Sequence, residues 1–170
     1  VEEVGYWRDH GLLSVALDPN FQTNGHLYLL YAVDRHHLLH FGTPSYDPAA
    51  DEPANATIGR ITRFSARAND GFSSVDLSSR LVLLGATPDT GFPITQNSHG
   101  VGTLLFGTDG TLLASCGDGA HISVRDSGST AGSHYAQALA DGIITEEQNV
   151  GSFRTQMVDS LSGKIIRIDP

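Results

Sequence analysis

Sulfur and positive charge are both scarce in this chain. With one cysteine, Cys116, no intramolecular disulfide framework can form. Ten Lys and Arg stand against nineteen Asp and Glu, for a net charge of −9, and they form no basic stripe. A phosphate backbone needs such a stripe, so nucleic acid is excluded as the expected partner. No stretch reaches the roughly eighteen apolar residues that a membrane-crossing helix requires. Val1 opens without an initiator Met or a signal-peptide pattern, and Pro170 follows directly on a strand-like run. The chain is therefore expected to be one segment, residues 1–170, of a longer domain truncated at both ends. Its 170 residues still allow a sizeable core.

The most informative stretch is residues 98–119, where two apolar runs flank Thr108-Asp109-Gly110. Asp-Gly between β-rich runs signals a hairpin, because Gly supplies the positive φ that such turns need. With Phe106 opposite Thr111, Leu105 faces Leu112, Thr103 faces Ala114, Val101 faces Cys116 and His99 faces Asp118. Directly opposed residues have Cβ atoms roughly 4.5–5.5 Å apart, which brings an imidazole within reach of a carboxylate. A slip of one residue would send the two side chains to opposite faces. Cys116 is expected as a small buried hydrophobe. On the other face, Gly100, Gly102, Ser115 and Gly117 form a nearly bare patch. Such a patch marks the close approach of a ligand or of another stretch of backbone.

An earlier hairpin is expected over residues 11–33, with strands at 12–17 and 26–33 around Asp18-Pro19-Asn20 and Asn24-Gly25. The Gly, strand, turn layout that begins at Gly11 returns at Gly100, which makes the chain internally repetitive. Further strands are expected at 58–65, 80–84 and 164–168, and a short helix at 135–140 inside the long insertion 120–161. Thr145-Glu146-Glu147-Gln148 has the form of a capping box. Many short strands with uneven loops indicate an all-β sandwich, barrel or propeller. Inner strands that read apolar on both faces favour stacked sheets, as in a propeller.

Other clusters carry less. His36, His37 and His40 hint at zinc, but residues 33–43 lack a full ligand set, and a solvated loop is expected there. Asp118 with Asp126, or Asp70 with Asp76, are expected as turn residues and not calcium ligands, since no EF-hand spacing exists. Gly100-Val101-Gly102 is no phosphate-binding fingerprint, because a strand and not a helix follows it. Asn55-Ala56-Thr57 fits a glycosylation sequon and marks an exposed loop.

Four segments taken in order resemble the soluble glucose/sorbosone dehydrogenases: residues 11–21, Ser98-His99-Gly100-Val101-Gly102-Thr103-Leu104, Gly117-Asp118-Gly119, and residues 161–170. The resemblance implies part of a six-bladed β-propeller with antiparallel blades and long inter-strand loops, using pyrroloquinoline quinone (PQQ) and calcium. It implies that His99 is the catalytic base and touches the cofactor, and that Asp118 holds it. It further implies a sugar substrate, an external electron acceptor and a periplasmic or extracellular location. The quinone anchors and calcium ligands would belong to later blades. Ser98 stands where glucose-oxidising members carry an acid, and the continuation Ala120-His121 also departs, which leaves the sugar open. Two other classes share the pattern: a propeller that binds a protein or glycan without chemistry, and a calcium-dependent lactonase-like hydrolase.

Overall fold

The computed structural model describes residues 3–170. Eight strands and three short helices are present: β1 Leu12–Leu17, α1 Phe21–Asn24, β2 His26–Ala32, α2 Arg35–His40, β3 Thr57–Ala66, β4 Val75–Leu84, β5 Phe92–Ile94, β6 Val101–Phe106, β7 Leu112–Cys116, α3 Tyr135–Ala140 and β8 Ile165–Ile168. All strand pairs are antiparallel, in one sheet ordered β1-β2-β3-β4 with β5 added to β3, and a second ordered β6-β7-β8. The expected strands and the helix at 135–140 are all found. The turn after β1 additionally winds into α1, which Gly25 closes at φ 67°. The repeat from Gly11 and Gly100 marks the first strand of each sheet.

The sheets stack through a shared core of Tyr28, Leu30, Ile61, Phe92, Leu104, Leu112, Ala114 and Cys116. Fully burying side chains such as Leu30, Ile61 and Leu112 contributes roughly 1.5–3 kcal/mol each. Gly59 in β3 sets the fit. A Cβ there would lie 2.0 Å from Cγ1 of Val101, so only glycine lets the start of β6 seat against the first sheet. A second core joins Tyr31, Val33, Ala56 and Ile58 to Ala138, Ile143 and Ile144, which fastens part of the long insertion to the first sheet.

Three expectations change. The β6–β7 register runs Phe106↔Leu112, Leu105↔Leu113 and Leu104↔Ala114, one residue off the expected pairing. The loop is three residues long, with Gly107 N donating to Thr111 O at 2.8 Å and Gly110 left-handed at φ 82°. An extra residue bulges from β6 between Val101 and Leu104, and this restores the expected Val101↔Cys116 pair. Second, residues 35–40 are not a solvated loop. They form α2, capped by Asp34, whose Oδ1 accepts from the N–H groups of His36 (2.8 Å) and His37 (3.3 Å). Third, Asn55 is half-buried and bonds to Gln137, Glu52 O and Pro53 O. Thr145 and Gln148 do make reciprocal box bonds, of 3.2 and 3.3 Å, but around an isolated turn.

Candidate active site

The bulge decides what lies at the open end of the second hairpin. Without it, the turn's register would carry His99 opposite Gly119. With it, His99 lies opposite Asp118, and Nδ1 of His99 sits 3.2 Å from Oδ1 of Asp118. Two hydroxyls support the bulge: Ser115 Oγ accepts from Thr103 N and Ser14 Oγ accepts from Leu104 N, both at 2.9 Å.

The backbone at His99 is left-handed, with φ 56°. For a residue with a Cβ this costs about 1–2 kcal/mol, so surrounding bonds must impose it. His99 O accepts from Gly119 N at 2.8 Å, Gly117 N donates to Gly100 O at 2.7 Å, and Gly119 O accepts from Thr95 N at 2.8 Å. Gly117 is required, because a Cβ there would sit 2.4 Å from His99 O. The bare patch is thus filled by the chain itself: Gly102 would likewise collide with Ser115 Oγ at 2.4 Å, and Gly100 with Ile94 at 3.0 Å.

The His99 side chain is 53 % exposed and that of Asp118 24 %. Asp118 Oδ1 also accepts from Ala120 N at 3.2 Å. When neutral His99 donates its Nδ1 proton to the carboxylate, the Nε2 lone pair is free, and Nε2 has no hydrogen-bond partner among the described residues. The pair can therefore present a fixed-tautomer base to an incoming hydroxyl.

Two neighbours escaped the sequence reading. Ser98 Oγ donates to Oδ2 of Asp9 at 2.5 Å, which sets an exposed carboxylate from the segment before β1 next to the histidine-bearing segment. The signal was in the repeat: Asp9-His10-Gly11 precedes β1 as Ser98-His99-Gly100 precedes β6. His10 lies half-buried, its Nε2 3.2 Å from Gln96 O, and burial holds it below the usual histidine range. Trp7 meets the edges of His10 and His134, with ring centroids 5.6 and 5.2 Å apart. The other neighbour is Arg154, 1 % exposed behind the pair. It donates to Thr95 Oγ1 at 3.2 Å, and to Asp118 O, Ser162 Oγ and Gln148 O at 3.4 Å. Burial pulls its pKa down.

The donor set fits the implied cofactors only in part. His99 offers an outward ring nitrogen for a substrate held against a quinone. Two cations of the segments behind the pair, Arg154 and Lys164, are turned inward, with Lys164 Nζ on Thr155 O (2.8 Å) and Ser162 O (2.9 Å). Both side chains are thereby engaged with the protein's own oxygens. Calcium needs converging oxygens. Instead, Asp126 accepts from the N–H groups of His121 and Gly128, Asp70 from Ser73 N, and Asp76 from Ser78 N, as turn residues do. Among the described residues the only grouping with metal-ligand spacing is His36, His40 and Glu52. Two imidazoles in three ligands do not suit calcium.

The model of the glucose/sorbosone dehydrogenase family matches residues 1–170. No curated protein matches the chain. Among solved structures, the chain is similar to the PQQ-bound form of an aldose sugar dehydrogenase from Streptomyces coelicolor. The two are 17 % identical over 99 % of this chain and 33 % of that one, with a TM-score of 0.55. Two glucose dehydrogenase structures are each 16 % identical over 98 % of this chain and 32 % of theirs, with TM-scores of 0.55 and 0.51. The chain spans about a third of the length of these structures. Two blade-like sheets in a third of the length is the proportion that six blades require. The fold is part of a β-propeller, and the chain belongs to the glucose/sorbosone dehydrogenase family.

Proposed function

We propose that the protein carrying this chain oxidises a hydroxyl of a sugar, an aldose or a related carbohydrate, with His99 as the base. The observation that carries this reading is the 3.2 Å contact from His99 Nδ1 to Asp118, on a histidine left 53 % exposed and held at positive φ. Nε2 of His99 takes the hydroxyl proton while the carbon gives up hydride, and the carbon is left as a carbonyl. PQQ, when bound, supplies the acceptor for that hydride. Asp118 keeps the Nδ1 proton in place and stabilises the imidazolium that forms, as a base-orienting carboxylate does elsewhere. Family membership and the PQQ-bound neighbour support the reaction class.

In the same reading residues 1–170 are one segment of a single propeller domain. The quinone anchors and calcium ligands come from blades outside this segment, an external acceptor takes the electrons onward, and the protein works in the periplasm or outside the cell.

The test is dye-linked oxidation across an aldose panel by the intact protein, with and without added PQQ and calcium. Sugar-dependent, PQQ-dependent turnover is expected. Hydrolysis of a lactone without PQQ would establish the lactonase reading instead. Binding of a glycan or protein with no turnover, in a folded and cofactor-loaded sample, would establish the binding propeller.

A further inference from the structure

α2 carries an arrangement that the sugar-oxidising site does not use. His36 and His40 are four residues apart on this helix, which places both side chains on one face. Their rings lie with centroids 4.8 Å apart. Glu52 arrives from the loop that leads into β3, and its Oε1 is 3.6 Å from His36 Nδ1. One donor atom from each of the three residues lies within 4.8 Å of the others. Ligands about 2.0–2.2 Å from a tetrahedral zinc ion are roughly 3.3–3.6 Å apart, so side-chain rotations of an ångström or so would close the set.

The surroundings are built to hold these ligands. Asp34 joins both segments: its Oδ1 caps the start of α2, and its Oδ2 accepts from Glu52 N at 2.9 Å. Arg35 bonds to the second oxygen of Glu52 and, at 2.8 and 2.9 Å, to both oxygens of Asp141. That leaves Oε1 facing the imidazole. Ser45 Oγ lies 3.3 Å from His40 Nδ1, and when His40 donates its Nδ1 proton to that oxygen the Nε2 lone pair is open. Two carboxylates, Glu52 and Asp141, bond to the single guanidinium of Arg35, and a third, Asp34, is held by backbone N–H groups of the same two segments, so the cluster has charge to spare for a cation.

We propose that His36, His40 and Glu52 bind one divalent cation of the zinc class, with water in the fourth position, and that the ion clasps the loop after α2 onto the helix. Imidazole and carboxylate together favour zinc, nickel or copper over calcium. Asp47 N donates to His36 Nε2 at 3.0 Å, which puts the ring's proton on Nδ1, facing Glu52. The cation takes the place of that proton. Nε2 then carries the hydrogen, and the Asp47 segment turns so that an acceptor, its own exposed carboxylate, meets Nε2–H.

The experiment uses the intact protein, stripped by chelator and kept in excess calcium so that calcium sites stay filled. Co(II) is titrated by visible absorption and Zn(II) by calorimetry, with melting temperature followed alongside. One equivalent is expected, with the visible bands of four- or five-coordinate cobalt and a raised melting temperature. Affinity should fall about 100-fold in His40→Ala, and roughly 10- to 100-fold in Glu52→Gln. His121→Ala, on a separate loop, should bind as the parent does. Circular dichroism of each variant checks that it is folded. No stoichiometric uptake, or uptake unaltered in both His40→Ala and Glu52→Gln, overturns the proposal. The readout is binding, so failure of sugar oxidation would leave this inference standing, and the reverse also holds.

Discussion

Replacing Gly117 by Ala is the sharpest single-atom probe of the candidate site. The added Cβ would sit 2.4 Å from His99 O, against the 3.0 Å below which real Cβ contacts essentially never fall. The His99 carbonyl or the Gly117 backbone must therefore move by at least about 0.6 Å, the difference between those two distances. His99 O also accepts from Gly119 N at 2.8 Å, so the displacement loosens the bond that holds the histidine's backbone in place. A misplacement of about 1 Å in a reacting group costs on the order of 100-fold in rate, so Gly117→Ala should lower kcat roughly 10- to 100-fold. Overpacking should also cost about 1–3 kcal/mol of stability. Gly110→Ala is the matched control: Gly110 is left-handed at φ 82° with open space around it. A Cβ there costs about 1–2 kcal/mol through conformation alone and should leave kcat unchanged. Steady-state sugar oxidation with thermal unfolding of both variants separates the two effects. A folded Gly117→Ala protein with the parent's kcat, or equal kcat losses in the two variants, would show that turnover does not depend on how Gly117 seats the His99 backbone.

Other expectations are simpler. Asp118→Asn should leave the unfolding transition nearly unchanged but lower kcat by about 100-fold or more, because an amide can hold the wrong imidazole tautomer; unchanged kcat would remove the orienting role. Glu3 ties residues that precede β1 to β3 and β4, through Arg60 at 3.0 Å and through Arg80. Burial alone would raise its pKa, but the hydrogen bonds and charge of Arg80, with His37 and Tyr31 beside the carboxylate, outweigh that and hold it well below the usual range. A depressed carboxylate adds stability above its unfolded pKa of about 4.3 and loses it as pH falls toward the folded value. Melting temperature should therefore fall below about pH 4, with a shallower fall in Glu3→Gln, and equal slopes would contradict the linkage. Burial pushes the Cys116 thiol up to about 12. It should resist alkylation at pH 8 until the protein unfolds, and rapid labelling of the native state would show the core to be open there.

Local chemistry made the hairpins legible. Asp109-Gly110 announced the turn, the apolar runs on either side of it announced β6 and β7, and inner strands apolar on both faces announced stacked sheets. The pairing of His99 with Asp118 was also readable, but partly by compensation. The expected four-residue loop is a three-residue loop, and the bulge at Gly102 and Thr103 restores the register. That bulge could not be read locally, since one of the hydroxyls supporting it belongs to Ser14 in another sheet. The same limit hid Asp9 and Arg154, which reach the site from distant positions in the chain. α2 was missed because Arg35 to His40 is too short for helical periodicity to show. Its one local signal was the N-cap, Asp34.

If His99 removes the proton during sugar oxidation, its loss must show in turnover and not in cofactor affinity. The measurement that tests it most directly compares intact parent protein with His99→Ala, in dye-linked sugar oxidation and in PQQ binding measured by titration on the same samples. With His99 as the base, kcat falls at least about 100-fold while PQQ affinity stays within a few-fold, the loss expected when a general base is removed. Parallel losses of turnover and PQQ affinity, or turnover that survives the substitution, would contradict it.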